Sequence, residues 1–412
     1  MLGTDQRGSM TSQREDWAGG GRDPYQEGRP AAARPSRGRL WRRRIAAVLI
    51  VALIPVGWSY GHALTVPGGA GVGVQSVEWI RGHGGAGLVV AIENFWYTHH
   101  PPPKGGKPPA GYIPAGQHGV TSAPTAPAAP VVLAAPAPIP PIVSPALANE
   151  GTWAPIGREV NGSPAIYAAY VRPDAVHTSL VTGVAWMNPK LLTAKLFAGS
   201  QEPGGGPWPY SAPIPSSMQG SLVAAFNSGF RMQDANGGYY AYGHTGVPLV
   251  NGAASLVINT DGTVNVGTWG TGAFRMSPTV AAVRQNLTLI VEGGSPVPGL
   301  DSGSYTKWGA TVGNSVLVWR SGVGVTANGA LLYAAGAGLS AYSLANVLAR
   351  AGAVRAMEMD INSDWTDYFS FNPAPGQPAQ PSNGAKLVPD MVQGPSRYFS
   401  SEPRDFIAML AR

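Results

Sequence analysis

The sequence predicts an α+β domain of mixed or antiparallel sheets with few helices, preceded by one transmembrane helix and a Pro/Ala-rich linker. Three observations predict it. A charge-free apolar run follows a cluster of arginines near the N-terminus. Pro and Ala then recur through residues 101–150. From Gly151 onward, short β-like runs alternate with Asn-Gly and Asp-Gly turns, and one segment alone has clear helical patterning.

The polar lead comes first. Residues 1–44 are rich in Gly, Arg and Asp and read as a disordered basic tail on the cytoplasmic side. Six arginines fall between Arg34 and Arg44, and no Lys, Arg, Asp or Glu follows from Ile45 to Ser76. The apolar part, residues 45–66, is long enough for a membrane-spanning helix at ~1.5 Å per residue against ~30 Å of hydrocarbon. Pro55 and Gly57 are tolerable in such a helix. The arginines hold the lead inside, so the C-terminal part is expected outside, on a single-pass protein of the cell membrane. A cleaved signal peptide ending near Gly61-His62-Ala63 and a buried core helix are the alternatives; the long polar lead weighs against cleavage.

Residues 67–100 form a juxtamembrane segment. Leu88, Val89, Ile92, Phe95 and Trp96 recur in it at helical spacing. The linker at 101–150 opens on Pro101-Pro102-Pro103 and is expected to be extended, semi-rigid and without a core of its own.

The domain at 151–412 contains β-like runs at 165–171, 179–186, 222–226, 255–258, 287–291, 315–319 and 354–359. Turns at Asn161-Gly162, Asn251-Gly252, Asp261-Gly262 and Asn328-Gly329 separate them. One helix runs from an N-cap at Ser340 to Gly352, and a second is expected over 403–410.

Charge and composition exclude several classes. Residues 1–150 carry 13 Lys and Arg against 8 Asp and Glu, and residues 151–412 carry 15 against 14, so the formal +6 is an N-terminal property. The domain offers no basic footprint, and no nucleic-acid partner is expected. There is no Cys, which removes disulfides, zinc-thiolate sites and cysteine nucleophiles.

Four clusters could carry chemistry. In the first, an Ala-rich strand ends in Asn227-Ser228-Gly229-Phe230, followed by Arg231; an ordinary turn is the alternative. In the second, an apolar strand delivers Glu292 into Gly293-Gly294, or Glu292 is a solvated strand end. The third is Arg320-Ser321-Gly322-Val323-Gly324, where an arginine could grip a phosphate bidentately or form a structural salt bridge. The fourth is Glu358-Met359-Asp360-Ile361-Asn362-Ser363-Asp364-Trp365. Glu358 and Asp360 share a strand face roughly 7 Å apart, within the range glycoside hydrolysis uses, or they mark a solvated acidic strand end. Asp360, Asn362 and Asp364 resemble the start of a calcium loop, but Trp365 stands where that loop needs Gly and Phe371 where it needs Glu. No metal and no cofactor is expected.

In order and spacing, these clusters resemble the phosphodiester glycosidase family, over about residues 150–400. The family pattern runs through Asn-Gly-Gly-Phe, an Asp-Gly turn, Arg-(Ser/Thr)-Ala-Ile-Gly, a short Asp-Gly hairpin, a helix opening Gly-Leu-(Ser/Thr), and a strand into Leu-Asp-Gly-Gly. Here those positions read Asn227-Ser228-Gly229-Phe230, Asp261-Gly262, Arg320-Ser321-Gly322-Val323-Gly324, Asn328-Gly329, Gly338-Leu339-Ser340 and Met359-Asp360. The chain also resembles an actinobacterial, membrane-anchored branch with this anchor-linker-domain layout. Ser228 replaces a Gly, and Ile361-Asn362 replaces the final Gly-Gly. Asn236-Gly237-Gly238 is a second match to the first motif, fitting the spacing less well than Asn227.

The resemblance implies hydrolysis of a sugar-1-phosphodiester, with a glycan or sugar phosphate of the cell envelope as substrate. Asp360, Glu358 or Glu292 would activate water or stabilise the oxocarbenium ion, and Arg320, with Arg231, would hold the phosphate. Asn227 would bind sugar hydroxyls, Trp365 or Tyr239 would stack on the ring, and His244 and Asn362 complete the candidate set. A non-catalytic binder of wall glycans using the same cleft is the rival reading.

Overall fold

The structure, a computed structural model, describes residues 37–65, 71–114, 133–301, 307–309 and 316–412. The expected tail up to residue 36 and the middle of the linker, 115–132, lie outside the described residues.

Helix α1 spans Arg37–Leu64 and contains Pro55. Its stretch Trp41–Leu64 is long and apolar enough to cross a membrane. The chain divides into two units, the first ending at Trp58. In the second, the expected juxtamembrane helix is two helices, α2 (Val72–Ile80) and α3 (Ala86–His99). The π-helical turn Arg81–Gly85 interrupts them because Gly84 takes φ +86°, outside the helical region. Trp79 Nε1 donates to Ser59 Oγ at 3.0 Å, and the Tyr60 ring meets Trp79 edge-on. Leu88, Ile92 and Phe95 of α3 are exposed, whereas Val89 is buried.

Among the described residues the domain has three sheets, whose named strands all pair antiparallel. The first has eight strands in the order β1 (Ala154–Val160), β2 (Ser163–Val171), β3 (Thr182–Met187), β14 (Leu331–Leu339), β13 (Val318–Thr326), β15 (Ala353–Glu358), β11 (Leu289–Glu292) and β12 (Ser295–Pro296). The second runs β7 (His244–Val247), β6 (Tyr239–Ala241), β10 (Val280–Gln285), β8 (Ala254–Asn259) and β9 (Val264–Thr268). The third runs β17 (Gly384–Lys386), β16 (Tyr368–Phe371), β5 (Leu222–Asn227), β18 (Phe406–Ala411) and β4 (Leu192–Phe197).

The first sheet is buried on both faces, so its central strands read as continuous apolar runs. Alternate residues serve different layers. Ala185, Met187, Tyr333, Val323 and Met357 pack toward Phe226, Leu256, Val266 and Ile407 of the other two sheets. Val184, Trp186, Leu332 and Ala356 pack toward Leu344, Val347 and Leu348 of α5 (Ala341–Arg350). The short helix α4 (Ser216–Gln219) leads into β5. The glycines after Arg320 are strand residues, and Gly322 lets α5 approach: a Cβ there would stand 3.1 Å from Leu348 Cδ1 and 3.2 Å from Leu344 Cδ2.

Two expectations change. The segment 403–410 is not a helix, because its apolar run Phe406–Leu410 fills the place between β4 and β5 as β18. The linker is laid on the domain at both of its described ends. Gly105 N donates to Val176 O and Thr178 Oγ1 to Gly106 O, while Ile139 and Val143 are buried. Proline lacks an N–H, so a Pro-rich strap leaves carbonyls in excess, and side chains must meet them. Arg172 Nη2 donates to Val143 O and Pro145 O while its guanidinium pairs with buried Glu150 at 2.8 Å; Trp153 Nε1 donates to Ala137 O.

Helix α5 starts where the sequence placed its cap. Ser340 Oγ accepts from Ser343 N at 3.0 Å, and Ser343 Oγ accepts from Ser340 N at 2.9 Å. Ser340→Ala removes one half of this capping box and is expected to destabilise the domain by about 1 kcal/mol, read from the urea midpoint at unchanged slope.

Candidate active site

The ends of the three sheets meet at one place. β5 ends at Asn227, β13 begins just before Arg320, β15 ends at Glu358, β10 ends just before Asn286, and Arg404-Asp405 leads into β18. The segment 359–367 hands the chain from β15 in the first sheet to β16 in the third, so it must cross this junction. Backbone bonds fix the crossing: Ser321 N donates to Asp360 O at 2.9 Å, and Met359 N to Ser321 O at 2.8 Å.

Asn227 ties the sheets together through its side chain. Its Nδ2 donates to Ser321 Oγ at 3.1 Å, and its Oδ1 accepts from Tyr333 Oη at 2.7 Å and Asp367 N at 3.1 Å. Asn286 does the same from just beyond β10, donating to Glu358 O at 2.9 Å while its Oδ1 accepts from Phe230 N. Asn236, the second match to the Asn-Gly-Gly motif, is exposed in a turn before β6.

Around these amides lie four buried arginines and five buried carboxylates. Arg320 pairs with Glu358, donates from Nε to Leu339 O at 2.9 Å, and reaches Trp308 O at 3.4 Å. Arg404 Nη2 donates to Asp360 Oδ2 at 2.6 Å and to Gly229 O at 3.3 Å. Arg284 pairs with Asp405 at 2.8 Å and donates to Phe230 O. Arg397 pairs with Asp367 and with Glu402 at 2.8 Å. Isolated buried charges cost several kcal/mol each, so these groups must come in partnered sets.

Burial perturbs two of the carboxyls. Glu358 is pushed above the ordinary range by loss of water, against the pull of Arg320 and with the help of Asp360's charge. Asp367 is pushed up to about 6 by burial, although Arg397 and the Tyr398 hydroxyl favour its charged form.

Asn227, Arg320, Glu358, Asp360 and Trp365 come together here. Trp365 is enclosed rather than presented: the guanidinium carbons of Arg397 and Arg404 stand 5.0 and 4.9 Å from its ring. Asn362 shapes the crossing loop, its Oδ1 accepting from Asp364 N at 2.9 Å and its carbonyl from Trp365 N and Thr366 N. Arg231 is half-buried one residue beyond Phe230, with Asp234 at 3.5 Å. Two candidates stand apart. Glu292 is exposed and pairs in register with Arg355, five residues before Asp360 and so roughly 16 Å away along the strand direction. His244 is exposed on the edge strand β7, against the Trp208 ring.

Arg284, Asn286, Asp367, Arg397, Glu402, Arg404 and Asp405 were not among the sequence candidates. The charged run Glu402-Pro403-Arg404-Asp405 before an apolar stretch was the available signal, but it reads equally as a helix start.

The family model of the phosphodiester glycosidases matches residues 220–389. That match takes in Asn227, Arg284, Arg320, Glu358, Asp360 and Asp367, and stops before Arg397, Glu402, Arg404 and Asp405. No curated protein matches the chain. Among solved structures, a hypothetical protein from Synechocystis aligns at TM-score 0.36 and 13% identity, over 63% of this chain and 64% of that one. The catalytic domain of zebrafish N-acetylglucosamine-1-phosphodiester alpha-N-acetylglucosaminidase, auto-inhibited by its pro-peptide, aligns at TM-score 0.35 and 13% identity, over 62% and 85%.

Asp367 yields a pH prediction. Its pKa in the fold, about 6, lies above the ordinary 3.8, so its contribution to stability is complete below pH 3.8 and is lost as pH rises through 6. The stability of wild type relative to Asp367→Asn is expected to fall by about 3 kcal/mol between pH 3.8 and 7, measured by urea unfolding at several pH values.

Proposed function

We propose, from the match of residues 220–389 to the phosphodiester glycosidase family model, that this protein is a hydrolase cleaving a sugar-1-phosphodiester in glycans of the cell envelope. The observation that carries the reading is the pair Glu358 and Asp360, buried together at the end of β15 and each held by its own arginine.

In the reaction, a water oxygen bonds to the anomeric carbon while the bond from that carbon to the phosphate oxygen breaks. The bonding pair leaves with the phosphate, and a carboxylate takes the water's proton. A phosphomonoester is a weakly basic leaving group, so charge stabilisation matters more than a strong acid. Asp360, fixed by Arg404 and by Ile361 N at 2.8 Å, is the carboxylate that takes the proton or faces the oxocarbenium ion. Glu358, whose pKa is raised by burial, stands beside it as the second carboxyl of the pair. Arg320 is committed to holding Glu358. Asn227, whose amide is committed to Ser228 O, Ser321 Oγ, Tyr333 Oη and Asp367 N, holds the strand ends around the pair, and Asn362 shapes the crossing loop.

The location follows from charge. The arginines at 34–44 cluster at the N-terminal end of the apolar helix, which runs to Leu64, so the domain lies outside, close to envelope glycans.

The test is release of free sugar from a sugar-1-phosphodiester by the full chain in detergent. Asp360→Asn is expected to lower kcat by about 10³-fold and Glu358→Gln by about 10²-fold, within the range of lost acid–base groups. Turnover unchanged in Asp360→Asn removes the catalytic assignment. Glycan binding by the wild type without turnover replaces the hydrolase with a glycan-binding module.

A further inference from the structure

Among the described residues, eleven buried side-chain polar atoms have no hydrogen-bond partner, and four of them belong to the charged cluster: Ser228 Oγ, Glu358 Oε2, Trp365 Nε1 and Arg404 Nε. Native folds leave few such groups, and each calls for a reason. Two of the four, the indole and guanidinium nitrogens, can only donate. No rearrangement of hydroxyl protons satisfies them; they need an acceptor.

The other arginines of the cluster are differently placed. The Nε of Arg284 donates to Asp405, that of Arg320 to Leu339 O, and that of Arg397 to Glu402. Arg404 alone among the four keeps a buried nitrogen without an acceptor. Its Nη2 edge is fixed on Asp360 and Gly229 O, which brings Ser228-Gly229 against the guanidinium. Its Cζ is 4.9 Å from the Trp365 ring, whose other guanidinium neighbour, Arg397, is committed to Asp367 and Glu402.

We infer that Arg404, with Trp365 Nε1 and Ser228 Oγ, forms the subsite that receives the phosphate of the substrate. The inference rests on the hydrolase reading above and names the residues that hold its leaving group. A phosphate brings several strong acceptor oxygens, which suits a donor-only set. The same guanidinium holds the carboxylate through one edge and the phosphate through another, so one rigid planar group sets both relative to the anomeric carbon. It also shields Asp360 from a neighbouring anion. Arg320, the residue the sequence pattern offered for this role, instead positions Glu358.

The test is calorimetric titration of the full chain in detergent with inorganic phosphate, without sugar. Saturable binding by wild type is expected, weakened about tenfold or more in Arg404→Lys, which keeps the charge and loses Nε. Ser228→Ala is expected to weaken it about threefold. Its hydroxyl holds no bond within the fold, so this variant keeps the inference testable should Arg404→Lys not fold. Absence of phosphate binding in wild type, or wild-type affinity in folded Arg404→Lys, overturns the subsite; so does wild-type affinity in Ser228→Ala if it is the one variant that folds. Sugar release separates the two readings. Phosphate binding that depends on Arg404, with no hydrolysis of sugar-1-phosphodiesters, keeps the subsite and removes the hydrolase. Hydrolysis with an unchanged KM in Arg404→Lys does the reverse.

Discussion

Four guanidiniums and five carboxylates lie out of water where the three sheets meet, and the rest of the domain is arranged so that each has a partner. The constraint is severe because breaking a buried pair leaves a bare charge, at about 3–5 kcal/mol, whereas forming the pair contributes little net stability. Such a cluster is therefore a poor way to stabilise a fold and a good way to fix geometry. The pairs link separate elements: Arg284 on β10 reaches Asp405 before β18, Arg320 on β13 reaches Glu358 on β15, and Arg404 reaches Asp360 in the crossing loop. The apolar layers on either side of the first sheet provide the stability that this junction does not.

Much of the scaffold was legible because it depends on local chemistry. The Ser340 cap, the Asn328-Gly329 hairpin between β13 and β14, and the apolar runs of β2, β5, β8 and β15 each carry their signal within a few residues. The terminal strand was not legible, because Phe406–Leu410 has no alternation of polar and apolar residues. It is buried between two other strands, and a fully buried run looks alike as helix or strand. The break between α2 and α3 was missed for a different reason: Gly84 supplies the left-handed residue, but Gly is common throughout that segment and marks no single position.

The site divides along the same line. Asn227, Arg320, Glu358 and Asp360 sit at or near strand ends, in short polar patterns that the sequence shows locally. Arg397, Glu402, Arg404 and Asp405 become part of the site only through long-range pairing, Arg404 with Asp360 and Asp405 with Arg284 across 121 positions. No local pattern encodes such a partner. Glu292 shows the converse error: a carboxylate at a strand end followed by glycines has the right local form, but β11 delivers it to the other end of the sheet.

The two departures from the family pattern fall at this junction and have different physical consequences. Ile361 stands where a glycine is expected, and it packs beside Phe230, Ala235 and Leu287, so the substitution adds apolar cover next to Asp360 rather than obstructing its ion pair. Ser228 stands where the pattern has the first glycine after Asn227, and its backbone still closes the turn, with Ser228 N donating to Asp405 O at 3.3 Å. A glycine there would leave only backbone. The serine adds a hydroxyl in a place 1% exposed, where a polar atom without an acceptor or donor is destabilising. A serine whose hydroxyl has no partner in the fold, beside an arginine with an unmet nitrogen, suits the phosphate subsite proposed above.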